Sequence, residues 1–278
     1  MTTYTDIQID IESVLKEKAK KHYNKIPKFA INYLKKVIHQ EDLNGILRRN
    51  KDVQGVEFMQ RVVKDEFNIT LETSGMENIP DDGRFVFASN HPLGGLDGIC
   101  LSAVLGEHYD GKIKYLVNDI LMYLKNLESI FVPVNKFGTQ AKQSAIAINE
   151  AYESDNQVIT FPAGLVSRKT DGTIKDLEWM KSFVAKAIEY KRDIIPVHFN
   201  AKNSNFFYNF ANIRKSLGLK FNIELIYLPS EMFKSKNQTF HITFGEPIKW
   251  TSLDKSKSYN EWAKTIKDIV YDLPNKDL

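Results

Sequence analysis

A chain of 278 residues that is 42% hydrophobic and 26% charged holds enough apolar material for one large globular unit with a packed core. Its net charge of only +3 excludes a uniformly basic nucleic-acid binder, and a single cysteine, Cys100, excludes an internal disulfide framework or a multi-thiolate metal site and suits a reducing cytoplasm. No run of about 18 apolar residues is present, so no spanning helix is expected, and the N-terminus has no apolar stretch of the kind a secretory signal carries.

The first third reads as helical. Ile11 and Leu15, then Phe29, Ile31, Leu34 and Ile38, fall at helical spacing among lysines, with Pro27 separating the two segments. Residues 14–50 carry ten Lys or Arg against three acids, while the rest of the chain is slightly acidic, an asymmetry that suggests an anionic partner surface. A lysine-rich helix is by default a solvated face. Phe29, Ile31, Tyr33 and Leu34 beside those lysines also suit adsorption to an anionic membrane, where each basic residue adds about 1 kcal/mol. Residues 1–65 are thus expected to form a basic helical extension, and residues 66–278 a folded α/β domain.

Near position 67 the period changes. FNITLET alternates, with Phe67, Ile69 and Leu71 on one face, as expected of a half-exposed strand near a sheet edge. Strands are then expected at 84–89, 113–117, 130–134, 158–161, 194–199, 223–228 and 241–244, and helices at 98–107, 140–154, 179–190, 203–217 and 260–271. Strands such as RFVFAS and DIIPVHF are nearly continuous apolar runs, so both of their faces should be covered. The alternation predicts an α/β fold with a mixed, largely parallel sheet flanked by helices, and sites in such sheets gather at the carboxyl ends of strands. Leu177, Met180, Val184 and Ile188 are expected to form one core-facing helical stripe. Phe206, Phe207, Tyr208 and Phe210 are too dense for one buried face, and suit core packing, an apolar tunnel or a lipid interface. His198 and His241 read as hydrogen-bonded strand histidines.

The segment SNHPLGGLDG follows the strand ending at Ser89. Its histidine, His91, takes a proton near neutral pH, and Asp97, six residues on, could fix its tautomer and stabilise the imidazolium. Gly94 and Gly95 permit a tight turn and close approach of a ligand. The plainer alternative is a loop histidine beside an aspartate that merely caps a helix. Neither Ser89 nor Cys100 lies on a recognisable nucleophile turn, so a base here would act on an incoming hydroxyl or amine.

NHPLGGLDG resembles the His–Asp signature of the glycerolipid acyltransferases, the PlsC-like superfamily of lysophosphatidic-acid acyltransferases. It is similar more narrowly to their bacterial hemolysin-like branch of ornithine- or glycine-lipid O-acyltransferases. Further blocks follow in order from about residue 69 to 248. SIFVPVNKFG matches the second, with Lys136 for the usual arginine. FPAGLVSRK matches the third, with Phe161, Pro162, Gly164, Ser167 and Arg168 but Ala163 where the family has glutamate. DIIPVHF matches the fourth. Five residues separate His91 from Asp97, one more than the common pattern.

The resemblance implies acyl transfer from an acyl carrier protein or coenzyme A thioester to a hydroxyl, with no covalent acyl-enzyme, no metal and no tightly bound cofactor. His91 would be the base and Asp97 its orienting partner. Backbone N–H groups of Gly164 and Leu165 would be candidate oxyanion donors. Lys136, Arg168 and Lys169 would be candidate anion ligands for the acceptor, and Asn90, Pro92, Gly94, Gly95, Phe161 and Pro162 would form the substrate loops. The missing glutamate, for which Glu178 could substitute, tilts the acceptor from lysophosphatidic acid towards an N-acylated amino-acid lipid. The implied partners are an anionic membrane surface, a thioester donor and a lipid acceptor, and no nucleic acid. The implied location is cytoplasmic, peripheral on the inner face of the membrane. Two alternatives stay open: a lysophosphatidic acid acyltransferase, and a non-catalytic membrane-associated lipid-binding protein.

Overall fold

The two sides of the strand FVFAS go to different cores. Phe85 and Phe87 enter a large cluster with Phe58, Leu96, Ile195 and Phe244, while Val86 and Ala88 enter a second one with Trp179, Val184, Ile194 and Ile266. This period-two division of an apolar run is what a sheet covered on both faces requires. In the computed structural model, which describes residues 9–19, 22–117, 124–134, 140–219 and 221–275, this strand is the centre of a seven-stranded sheet.

In chain order the strands are β1 (Thr70–Ser74), β2 (Phe85–Ser89), β3 (Ile113–Val117), β4 (Phe131–Pro133), β5 (Gln157–Thr160), β6 (Arg168–Thr170), β7 (Thr173–Lys175), β8 (Asp193–Asn200) and β9 (Thr239–Phe244). The helices are α1 (Ile11–Ala19), α2 (Lys28–Val37), α3 (Gln40–Arg49), α4 (Gly55–Arg61), α5 (Gly95–His108), α6 (Gln140–Glu153), α7 (Ser182–Glu189), α8 (Asn205–Ser216), α9 (Leu228–Lys234) and α10 (Tyr259–Asp272). The sheet order is β1-β9-β8-β2-β5-β3-β4, parallel throughout except where β9 meets β8, so β1 and β9 run opposite to the other five. β1 is an edge strand, as its alternation predicts. From β2 the chain crosses to β3 on one side, and β8 flanks β2 on the other. The carboxyl end of β2 is therefore a point where strand order switches, the position at which open α/β sheets bind ligands.

Several expectations are corrected. Residues 223–228, read as a strand, form a 3-10 turn over Ile223–Tyr227 that runs into α9, with Pro229 in its first turn. Pro229 lacks the N–H a strand ladder would use but fits a helix start. Helix α7 begins at Ser182, not 179, and Leu177 lies outside it and is exposed. Residues 168–175 form the hairpin β6–β7, whose Asp171 and Gly172 both take positive φ, as a two-residue Asp-Gly turn does. The segment expected as an N-terminal extension sends Ile46, Leu47, Phe58, Met59 and Val62 into the same core as the sheet. Ile31 is buried instead of facing a membrane, whereas Phe29 and Tyr33 are exposed. His241 bonds the Ser74 hydroxyl at 2.9 Å, but Nδ1 of His198 has no partner among the described residues.

Candidate active site

Past Ser89 the chain leaves the sheet, and side chains take over from the strand ladder. The Asn90 amide pairs with both the N–H and the C=O of Phe199, at 2.7 and 3.0 Å, extending β2 along β8 by one imitation residue. The His91 N–H donates to Asp176 Oδ1 at 3.1 Å, and the Ser167 N–H donates to the His91 carbonyl at 2.7 Å. Asn203 Nδ2 donates to the Pro92 carbonyl at 3.0 Å, and the Leu93 N–H to Asp97 Oδ2 at 2.9 Å. Gly94 then turns with φ +85, a region open to glycine, and a Cβ there would press Leu228 at 3.0 Å. The turn delivers the chain into α5 with Asp97 in its first turn.

The His91 ring meets the fully buried Asp97 carboxylate, with Nδ1 3.1 Å from Oδ2 and 3.1 Å from Oδ1. The extra residue between them is absorbed by the turn at 92–95, which Asp97 itself ties down through Leu93. Gly98 N–H completes the carboxylate's partners at 2.8 Å. With Nδ1 carrying the proton towards Asp97, the neutral ring holds its lone pair on Nε2. Burial pushes the imidazole down, but the Asp97 carboxylate, by charge and by hydrogen bond, and Asp176 behind it outweigh burial and hold it above the ordinary histidine range, against a smaller opposing effect from Arg168. The ring rests on Phe161, with centroids 4.3 Å apart.

His91 lines a cavity of about 940 Å³, at the large end for small-molecule sites and walled by apolar side chains such as Ile46, Phe58, Phe67, Leu96 and Leu228. The cavity reaches from Ile9 and Ile38 in the N-terminal segment, past His91, to Ile148 on α6 and Lys186 on α7. Gly94, Gly95, Phe161, Pro162, Gly164 and Leu165 line it, as a substrate loop would, whereas Asn90 and Pro92 are buried behind it. The Gly164 N–H closes a turn onto the Phe161 carbonyl at 2.9 Å, so of the two amides considered as oxyanion donors only that of Leu165 lies outside this bond. Ser89 Oγ donates to the Asn90 carbonyl, and the Cys100 thiol is pushed well up by burial, so neither is an activated nucleophile.

Arg168 is not the free anion ligand expected. Its guanidinium donates to the Val166 carbonyl and to the buried Glu224 at 2.9 Å, and Glu224 also pairs with Arg214 at 2.8 Å. Lys169 does not line the cavity, and Lys136 lies outside the described residues. The exposed Glu178 does not reach the site. The carboxylate that does is Asp176, which sequence reasoning passed over. Its only local signal is an acid directly after a hairpin and three residues before a tryptophan, to which it bonds at 2.9 Å. Among the described residues no cluster of histidine, cysteine and acid suits a metal ion.

Residues 13–277 match the family model described as Acyltransferase. A lyso-glycine lipid O-acyltransferase of Bacteroides thetaiotaomicron is 50% identical over 98% of this chain and 100% of its own length. One of Phocaeicola vulgatus is 48% identical over 98% of each chain. The fold is similar, with a TM-score of 0.50 and 14% identity over 87% of this chain and 95% of the other, to the crystal structure of the 1-acyl-sn-glycerophosphate acyltransferase PlsC from Thermotoga maritima.

Proposed function

The chain belongs to this acyltransferase family, and on that premise we propose that it esterifies the free hydroxyl of a lyso-glycine lipid with a fatty acyl group drawn from a thioester of acyl carrier protein or coenzyme A. The observation that carries the reading is the His91–Asp97 pair set against an apolar cavity large enough for a fatty chain. His91 Nε2 takes the hydroxyl proton as the oxygen attacks the thioester carbonyl. The tetrahedral intermediate collapses, the C–S bond breaks, and the imidazolium returns its proton to the departing thiolate. Asp97 holds the ring in the tautomer that leaves Nε2 basic and faces the imidazolium while it exists. Among the described residues the lysines lining the cavity are Lys125 and Lys186, the latter also paired with Glu189 at 2.7 Å, and these are the partners offered to the acceptor's carboxylate.

Among the described residues no helix is long and apolar enough to cross a membrane, so a lipid acceptor must be reached from the side. Phe206 stacks on Phe210 and Tyr227 packs edge-on against both, at centroid distances of 5.1–5.9 Å, and the Tyr227 hydroxyl bonds Tyr33 on α2 at 2.7 Å. Phe29, one turn before Tyr33 on α2, is 76% exposed and Phe221 83% exposed, with Ile213 and Leu217 continuing the apolar face of α8. Exposed aromatics flanked by the exposed Lys28, Lys36 and Lys215 suit the interfacial layer of an anionic membrane. Leu225 and Leu228, on either side of Tyr227, line the cavity, so this face would open directly onto the site.

The purified protein should acylate lyso-glycine lipid from an acyl thioester and leave lysophosphatidic acid largely untouched. Equal turnover of both, or turnover of lysophosphatidic acid alone, would replace the acceptor. Co-sedimentation with anionic but not zwitterionic vesicles tests the membrane contact.

A further inference from the structure

Asp176 lies 85 residues from His91 in the chain, yet its carboxylate accepts the His91 N–H at 3.1 Å. Oδ1 also accepts the Ser167 hydroxyl at 2.6 Å, and Oδ2 the Trp179 indole N–H at 2.9 Å. Ser167 returns to the same place through its own N–H, 2.7 Å from the His91 carbonyl. The peptide groups on both sides of the His91 Cα are thus held, one by Asp176 directly and the other by a residue that Asp176 holds. Asp176 is itself pinned from the far side of the fold. Its N–H donates to the Tyr271 hydroxyl at 2.7 Å, and its carbonyl accepts Lys267 Nζ at 2.8 Å, both from α10. Its side chain is buried and does not line the cavity.

A buried carboxylate is costly, and here burial raises the Asp176 pKa in spite of three donors. A loop that needed only to be ordered could be packed with apolar groups at less cost. What this carboxylate adds is a fixed position for one peptide unit, in a reaction where misplacing the base by about 1 Å costs about 100-fold. We propose that Asp176 is a positioning residue for the acyl transfer, fixing His91 by its backbone and locking the Phe161–Ser167 loop to the His91 loop, much as an outer carboxylate orients a metal-bound histidine. The inference rests on His91 being the base.

The test compares Asp176→Asn with wild type on the alkaline plateau of the pH profile, so that changed protonation of His91 does not contribute. An Asn oxygen placed towards His91 and Ser167 sets its NH2 against the Trp179 N–H, donor to donor. The expected result is a kcat lowered about 10- to 100-fold, with KM for both substrates within about twofold. Trp179→Phe in the same chain removes the conflict and should restore kcat several-fold; this double variant is also the one to measure should Asp176→Asn fail to fold. In a His91→Ala background, Asp176→Asn should lower the residual rate no further, because residues acting as a unit are not additive. A folded Asp176→Asn with wild-type kcat, or the same fold-loss from Asp176→Asn (in the Trp179→Phe chain, should only that fold) with and without His91, overturns the proposal. Full activity in His91→Ala alone overturns instead the reading of His91 as base, so the two failures are told apart.

Discussion

His91 and Arg192 stand at opposite ends of neighbouring parallel strands, the first just past the carboxyl end of β2, the second just before the amino end of β8. Arg192 is buried and His91 partly buried, and both can carry positive charge. Arg192 is fully buried and spends its donors on main-chain carbonyls: Nε on Tyr152 at 2.7 Å, Nη1 on Asn156 at 2.8 Å and more loosely on Phe85, and Nη2 on Ser154 and Ala151. Most of those carbonyls end or follow α6, where the helix dipole favours a cation. Burial pushes the guanidinium down to about 10, which still leaves it charged at neutral pH. His91 spends one ring nitrogen on Asp97 and has the other, at the wall of a cavity, without a partner among the described residues. The difference teaches how to sort buried charge. A group with every donor engaged and no space beside it belongs to the frame, and a group with one unspent atom beside a cavity is where a proton can move.

The widest gap between the two should come from His91→Ala. Turnover of lyso-glycine lipid is expected to fall about 1,000-fold or more, as loss of a general base does, with the melting temperature within about 2 °C of wild type by calorimetry. Asp97→Asn should cost about 100-fold in kcat/KM and should move the pH profile. In the wild type the base is lost as pH falls through a His91 pKa above the ordinary value of 6.5, so the acid limb lies above that value. Removing the Asp97 charge leaves burial, which acts downward, in command, so the limb should move to lower pH. Arg192→Met should do the reverse of His91→Ala. Urea unfolding should show a loss of about 3 kcal/mol or more, because several buried carbonyls lose their donor, while kcat per folded molecule is unchanged. A kcat loss at Arg192 that matched that at His91 would break the distinction between frame and site.

His198 gives the smallest effect and the sharpest control. It is a second partly buried histidine, with an Nδ1 that has no partner among the described residues and Tyr271 against its ring, but it does not line the cavity. Burial lowers its pKa to about 4. The unfolded chain, with an ordinary value near 6.5, takes up the proton first, so this contribution to stability is whole above about pH 6.5 and is lost as pH falls towards 4. His198→Phe should flatten that part of the melting-temperature profile relative to wild type and change kcat less than about threefold.

Much of this was legible along the chain. The apolar runs of β2 and β8, the alternation of the edge strand β1 and the spacing of α5, α6 and α10 carry their own periodicity, because each buries a face set by local geometry. His91 and Asp97 were readable too, since a short turn joins them. The hairpin β6–β7 had its Asp-Gly signal at 171–172 and was passed over. The short apolar stretch at 223–228 fits a strand or a helix equally well by pattern, and is settled by Pro229 and by the buried pairing of Glu224 with Arg168 and Arg214.

By itself, then, the amino-acid order determined most of the strands and helices, that both faces of the sheet are covered, and that a histidine–aspartate pair follows the central strand. These depend on neighbours a few residues apart, where hydrophobic period and turn chemistry act directly. Only the tertiary structure decided that Arg168 is tied to Glu224, that Tyr33 reaches Tyr227 where it packs on α8, and that Asp176 and α10 hold the His91 peptide. Each of those rests on a desolvated hydrogen bond or a shared surface between residues tens to hundreds of positions apart, and such contacts exist only once the sheet has brought the strand ends together.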